Sequence, residues 1–266
     1  MTADVRPRAF GGATIVQTGP RRWLRSYRMM MRFDVRGLGQ WLMIGIAVQV
    51  LMGAGMAVMY GFYLGGDVPD VVKVFIATGV PALGLIPMGL VMVPQMVGQQ
   101  RIAQTYDFIW SLPVPRLAAA ASTFTVFTLM AIPGFATALG VGVWYYGIAL
   151  QVSWMVVPAV LLTSLMCSSV GFGMAHAVKS PMVINFIANM IVFFVLLFSP
   201  IIVPVAQFPD WLASVHKALP FYHMAQVIRD GLSNGFVTEV GTSYVVLGAW
   251  TVGGWLATAW VVGRRG

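Results

Sequence analysis

Long apolar runs without a single Asp, Glu, Lys or Arg divide this chain into blocks. The runs cover residues 39–64, 74–100, 117–178, 180–209 and 240–263. A charged side chain at the centre of a bilayer costs about 2.5–3.5 kcal/mol even on lenient insertion scales. Uncharged runs of this length therefore predict chain that lies in lipid, and we expect an integral membrane protein.

The length of each run predicts how often it crosses the membrane. A helix needs about 20 apolar residues to span about 30 Å of hydrocarbon. Single spans are expected at 39–64, 74–97, 182–205 and 241–263. The run 117–178 fits two spans, joined by a hairpin near 149–153 that Trp and Tyr residues flank, as is usual at a membrane interface. The prediction is an all-α polytopic membrane protein with six transmembrane helices and both termini on one side.

Composition supports this class, and charge predicts the orientation. The chain is 59% hydrophobic and 9% charged, whereas soluble domains carry about 25% charged residues. With cytoplasmic termini, all but three of the 16 Lys and Arg residues lie inside, the exceptions being Lys73, Lys217 and Arg229. The positive-inside rule therefore predicts cytoplasmic N- and C-termini. The net charge of +8 reflects this topology, and we expect no nucleic acid partner.

The residues before the first span form two different segments. Residues 1–20 are rich in Gly, Pro, Thr and Arg without periodicity, and predict a mobile tail. Residues 21–38 predict an amphipathic interfacial helix, because basic residues recur every three or four positions on one face. These residues are Arg21, Arg25, Arg28, Arg32 and Arg36. The arginines would lie among anionic lipid headgroups with the apolar face in the acyl boundary, or they would only set the topology.

Two segments between the spans also have helical character. In the cytoplasmic segment 98–116, Ile102, Tyr106 and Ile109 form an apolar stripe, and two prolines then end the helix. This pattern predicts either a short helix able to transmit force from a docked protein or an ordinary interfacial loop. In the outer segment 206–234, prolines predict two helix starts, near 209–218 and 220–232. Both helices are too short to span and too apolar to stay in water, so we expect re-entrant helices before the last span.

These features resemble the membrane subunit of type-2 ABC exporters, the ABC-2 permease family. The stretch QRIAQTYDFIWSLPVPR resembles the family segment E-R-x-x-G-T-x-x-x-L-x-x-x-P-V-x-R. The outer stretch SPIIVPVAQFPDWLASVHKALPFYHMAQVIRDGL is similar to the signature S-P-x-x-x-P-x-x-x-x-P-x-W-L … P-x-x-x-x-x-x-x-R-x-x-L. The matching residues there are Pro209, Trp211, Leu212, Pro220, Arg229 and Leu232. Gln100 stands where the family often has Glu, a departure that bears on any salt bridge from this position to the ATP-binding subunit.

The resemblance implies one transmembrane domain over residues 21–266, with roles for its segments. Segment 99–112 would be a coupling helix that docks in a separate ATP-binding subunit, and helix 21–38 would brace the same subunit. The implied docking residues are Arg101, Thr105, Tyr106, Asp107 and Phe108. The outer helices would cap the exit, through Pro209, Trp211, Leu212, Pro220 and Arg229.

The resemblance also implies partners. The chain has no G-x-x-x-x-G-K-[ST] phosphate loop, so ATP and Mg would belong to partner subunits and this chain would carry no cofactor. We expect two ATP-binding subunits, a second six-span permease, identical or homologous, and membrane lipid. The expected function is export of an amphiphilic substrate, such as a drug, a lipid, a glycolipid or a polysaccharide, across the inner (plasma) membrane. The excess of Arg over Lys hints at a GC-rich bacterial source.

Two other functional classes stay open at this stage. An ion-driven secondary transporter usually keeps Asp, Glu or Arg inside the membrane, and the predicted spans have none. Their most polar pair, Asn185 and Asn189 in the fifth predicted span, would line a pathway or hydrogen-bond between helices. An intramembrane enzyme needs paired Asp, H-E-x-x-H or Ser with His deep in the bilayer. No such set appears, so we expect no catalytic residue and no metal site.

Overall fold

The structure is a computed structural model that describes residues 19–64, 68–233, 235–237 and 240–263, and every element assigned in these ranges is helical. Of the predicted tail, residues 1–18 lie outside the described residues. The helices are α1 Pro20–Leu38, α2 Gln40–Leu64, α3 Asp70–Pro87, α4 Val93–Ile102, α5 Thr105–Ser111, α6 Arg116–Tyr146, α7 Val156–Ala177, α8 Pro181–Phe198, α9 Asp210–Ala218, α10 Pro220–Leu232 and α11 Val240–Gly263. A π turn, Met88–Met92, joins α3 to α4 without a break.

Within the described residues, five helical segments are long and apolar enough to cross a membrane. They are Gln40–Phe62, Asp70–Ile102, Arg116–Tyr146, Val156–Ala177 and Pro181–Phe198. Each corresponds to a predicted span, and the connection between α6 and α7 contains the predicted hairpin at 149–153. The sixth predicted span corresponds to α11, a helix of 24 residues whose last side chains lie outside the described part. The sixth crossing and the sidedness of the termini stay predictions.

Two predicted span boundaries are wrong, and proline accounts for one of them. The fifth span was expected to reach residue 205, but α8 ends at Phe198. Ser199 is extended (φ −82°, ψ 139°), because the residue before a proline, here Pro200, avoids the helical region. The second span is longer than the expected 74–97 and runs over Asp70–Ile102. The π turn follows Pro87 within it, as expected where a proline removes a helical N–H donor.

The predicted cytoplasmic helix is in fact two helices. The expectation of one coupling helix over 99–112 is wrong, because α4 ends at Ile102 and α5 begins at Thr105. Gln104 lies in the left-handed region with φ 55°, which a non-glycine residue adopts at a cost of about 1–2 kcal/mol. Ile102 therefore does not share a helical face with Tyr106. The end of the segment is as predicted, since Leu112 is extended before Pro113.

The segment Asp70–Ile102, called the central span below, is the most buried of the five. It contacts α2, α6, α7, α8 and α10. Glycines allow its π turn to approach α7 closely, because a Cβ on Gly171 would lie 2.1 Å from the carbonyl oxygen of Gly89. By contrast, α2 and α8 leave most of their apolar surface uncovered. The central span is thus the buried helix around which the other helices named above pack.

Candidate functional site

The predicted docking residues lie on α5 and on the end of α4, and their exposure divides them into two groups. Thr105, Asp107 and Phe108 are exposed, and 60% of the Phe108 surface is accessible. Tyr106 and Arg101 are partly buried and face the bundle. Three of the five predicted docking residues are thus available to a partner, while the other two contact the rest of the chain.

Arg101, at the end of α4, and Tyr106, on α5, hold the place where these two helices meet against the end of α7. The Arg101 guanidinium donates hydrogen bonds to the carbonyl oxygens of Val178, at 2.5 Å, and Lys179, at 3.3 Å. It also lies 5.0 Å from the Tyr106 ring centroid, and the Tyr106 ring lies 6.0 Å from that of His176. The negative end of the α7 dipole favours a cation at this position. These contacts fix where the exposed face of α5 points.

Helix α1 is amphipathic as predicted, but its inner face is partly polar. All five arginines of the predicted interfacial face are exposed. On the opposite side Ser26, Met30 and Asp34 are buried, and α1 packs against α6. Part of the face expected in the acyl boundary therefore packs on protein, whereas Trp23, Leu24 and Val35 of that face stay exposed. Placement of α1 at the membrane interface stays a prediction.

Hydrogen bonds reinforce the contact between α1 and the rest of the chain. The Tyr27 hydroxyl donates to Thr125 Oγ1 of α6 at 2.9 Å. The Arg22 guanidinium donates to the carbonyl oxygen of Pro113 at 3.0 Å, in the corner that follows α5. Helix α1 thus contacts the corner between α5 and α6, through Arg22, and the helix α6 itself, through Tyr27.

Asp34, which was not among the predicted site residues, is 6% exposed at the centre of this contact. Its Oδ2 atom accepts hydrogen bonds from Ser122 Oγ at 2.5 Å and Thr123 Oγ1 at 3.2 Å. Burial raises the pKa of the Asp34 carboxyl above its ordinary value of 3.8, and these two hydrogen bonds lower it in part. The sequence did contain a signal for this burial. Asp34 lies four residues after Met30, so this acidic residue falls on the apolar side of a basic helix.

The outer segment forms two helices with the predicted boundaries but different environments. Helix α9 is largely at the surface, with Trp211 69% exposed and Leu212 half-buried. Helix α10 begins at Pro220, as predicted, and is buried along most of its length against α3, α7 and α11. His223 links the segment together, since its Nδ1 lies 2.9 Å from Ser243 Oγ and its Nε2 lies 2.8 Å from the Lys217 carbonyl oxygen. Helix α9 therefore lies at the surface, and α10 lies beneath it inside the bundle.

Arg229 lies in the interior, although the charge count placed it among the three basic residues outside. Its side chain is 1% exposed. The guanidinium donates to Ile201 O at 2.8 Å, Gln226 Oε1 at 3.2 Å, and Phe75 O and Thr78 Oγ1 at 3.3 Å each. The sequence marked Arg229 as a position of the family signature. Its burial away from solvent could not be predicted, because it results from the packing of α10 against other helices.

The asparagine pair of α8 stays within its own helix in the described part of the chain. Asn189 is exposed, and its Nδ2 donates to the Asn185 backbone oxygen at 2.7 Å. Both asparagines lie on one of the two least covered spans. Pathway lining by Asn185 and Asn189 stays a prediction, and the alternative bond to another helix is not present among the described residues.

Among the residues that the structure describes, no group of three His, Cys, Asp or Glu side chains could hold a metal ion. His216 is 1% exposed and packs between Phe208, 5.7 Å away, and Phe194, 6.5 Å away, measured between ring centroids. Burial lowers the pKa of His216, which favours the neutral ring. The aromatic environment indicates a structural role for this histidine.

Comparison with known families identifies a match for most of the described helices. Residues 23–232 match the sequence model of the family described as ABC-2 type transporter. The match begins in α1, ends with α10 and thus includes α5, the central span and the buried Arg229. A search of curated proteins finds no match to the chain.

Proposed function

Since this chain belongs to the ABC-2 type transporter family, it is the membrane component of an ABC transporter, and we propose that it exports an amphiphilic substrate, driven by separate ATP-binding subunits. The observation that carries the coupling part is the exposed, anchored face of α5. The family match also favours this function over the ion-driven carrier and the intramembrane enzyme.

The proposed docking surface consists of Thr105, Asp107 and Phe108. An exposed aromatic flanked by polar groups is typical of an anchor that enters a pocket of a partner. Arg101 and Tyr106 act as positioning residues, because they hold α5 to the end of α7 while its other face stays exposed. Each permease would receive one ATP-binding subunit, which carries the ATP and Mg.

The proposed topology has six spans with α11 as the sixth, cytoplasmic termini, and the arginine face of α1 at the lipid headgroups of the inner membrane. A second permease, identical or homologous, would face the first, and the uncovered faces of α2 and α8 offer room for it. The substrate would pass between the two permeases. The exposed Asn189 would then meet this pathway or the partner helix instead of lipid.

ATP would work this transporter by favouring one of two arrangements. A ligand shifts such an equilibrium only by its difference in affinity for the two states. Closure of two ATP-binding subunits would move the two α5 helices and, through the spans, exchange inward or lateral access for outward release. The substrates consistent with this route are drugs, lipids, glycolipids or polysaccharides with both apolar and polar parts.

The docking proposal is tested in the complex purified with the ATP-binding subunits encoded beside this chain. We expect Asp107→Ala with Phe108→Ala to lower ATPase stimulation by the permease at least tenfold, because losing an interface anchor costs about 2 kcal/mol or more. Trp154→Ala is the control, since Trp154 is also an exposed aromatic, 77% accessible against 60% for Phe108, and lies in the connection between α6 and α7. Unchanged assembly and stimulation in the double variant would contradict the proposed docking surface.

A further inference from the structure

The central span connects the docking face to the buried α10. It runs without a break from Asp70 to Ile102, and only Ala103 and Gln104 separate its end from α5. Near its other end, Phe75 and Thr78 contact Arg229 of α10. One continuous helical segment thus has the docking face at one end and the outer helices at the other.

Arg229 joins three separate parts of the chain. Its guanidinium bonds Phe75 and Thr78 of α3, Gln226 of its own helix, and the backbone of Ile201 in the connection after α8. The Arg229 Cζ atom also lies 3.7 Å from the centroid of the Phe75 ring. Planar donors in a fixed fork suit such simultaneous contacts, which a flexible ammonium group could not make.

The acceptors around Arg229 are carbonyl, amide and hydroxyl oxygens, together with an aromatic face, and none of the contacts in the described residues is a carboxylate. A buried charge without an opposite charge depends on all of its hydrogen bonds. Separation of α10 from α3 would leave this charge unsatisfied. The two helices are therefore expected to move together.

Gly79 allows the contact to be this close. A Cβ at this position would lie 2.5 Å from the Ile201 carbonyl oxygen and 3.2 Å from an Arg229 terminal nitrogen. Gly84, also on α3, would place a Cβ with no atom within 4 Å. The same substitution at the two glycines thus separates an effect on the Arg229 contact from a general effect on the helix.

We propose that Arg229 is a positioning residue that fastens α10 and the connection after α8 to the central span, so that movement of the docking face is carried to the outer helices. This inference rests on the proposed function, because it takes α5 as the place where the ATP-binding subunits act. It adds the route by which their movement reaches the far end of the chain and the residue that attaches that end.

The test is hydrogen exchange on the complex with its ATP-binding subunits in lipid nanodiscs, with and without a non-hydrolysable ATP analogue. In the wild type, the analogue should change exchange in both 99–112 and 220–232. In Arg229→Met, the change in 99–112 should persist while the change in 220–232 falls at least about threefold, because the outer helices become a separate opening unit. Gly79→Ala should act in the same direction, and Gly84→Ala should match the wild type.

The outcomes separate this inference from the proposed function. A wild type in which 99–112 does not respond would refute the docking of α5, and the inference would fall with it. If 99–112 responds but 220–232 is silent in the wild type, or responds equally in Arg229→Met and Gly79→Ala, the attachment is overturned. Faster exchange of 220–232 in both states with an unchanged response would show a purely structural role, and would also overturn it. Gly79→Ala decides the matter should Arg229→Met fail to assemble, because it keeps the arginine.

Discussion

The buried carboxyl of Asp34 gives a prediction whose size follows from its contacts. Asp34→Ala removes the acceptor for Ser122 Oγ and Thr123 Oγ1 in a site that is only 6% exposed. Thr123 keeps a second acceptor, the Ala119 carbonyl oxygen at 3.3 Å, whereas no second acceptor is seen for Ser122 among the described residues. The loss is therefore closer to one full hydrogen bond with an unsatisfied partner than to two.

We expect Asp34→Ala to lower the free energy of unfolding by about 1–3 kcal/mol in the acid range where the carboxyl is protonated. For a chain of this size that corresponds to a fall in Tm of about 2–10 °C. The assay heats the purified protein and measures, by size-exclusion chromatography, the fraction that stays folded at each temperature. Arg32→Ala on the exposed face of α1 is the control, and it should stay within about 0.5 kcal/mol of the wild type.

The pH dependence of the same site has a definite sign. Burial raises the pKa of Asp34 in the folded protein above its ordinary value of 3.8, so the folded state binds the proton more tightly than the unfolded state. The stability that this provides is complete below pH 3.8 and is lost as the pH rises through the folded pKa. Asp34→Asn cannot ionise, so its Tm relative to the wild type should rise with pH over this window. A Tm difference that stays constant or falls with pH would refute the assignment of a buried, protonatable carboxyl.

Two further predictions concern the core and the docking face. Gly171→Ala should destabilise the protein by about 1–3 kcal/mol, because the new Cβ would overlap the Gly89 carbonyl oxygen. Gly248→Ala is the control and should not destabilise it, since no atom lies within 4 Å of the new Cβ. Thermal unfolding compares the two variants, and equal effects would contradict the close approach of Gly171 to Gly89. Arg101→Ala should leave the end of α4, just before α5, without its bond to Val178. We expect this to raise hydrogen exchange in 105–111 at least about threefold and to weaken assembly with the ATP-binding subunits, and unchanged exchange would show that other contacts hold α5.

Several features were predictable because they depend on local chemistry or on solvent alone. Uncharged runs located five of the spans. Lipid disfavours charged side chains along a spanning helix whatever the positions of the neighbouring helices. Prolines gave the start of α10 at Pro220 and the extended residue before Pro113, because the pyrrolidine ring acts on its immediate neighbours. The spacing of the α1 arginines predicted that they share one exposed face, because residues three or four positions apart lie on the same side of a helix.

Other features depended on contacts between distant parts of the chain. The break at Gln104 divides the predicted coupling helix, although no residue there is a glycine or a proline. The inward position of Arg101 follows from its contact with the end of α7. Neither feature has a local signal, because each arises where α4 and α5 meet a helix that lies far along the sequence.

The sequence by itself thus determined that this chain lies in a membrane, where most of its spans fall and which family signature it carries. Only the tertiary structure decided that Asp34 and Arg229, two charged residues in segments expected at the surface, lie inside the protein. The physical reason is that lipid selects against charge along each helix separately, whereas burial of a charge depends on the oxygen and hydroxyl groups that other helices bring to it.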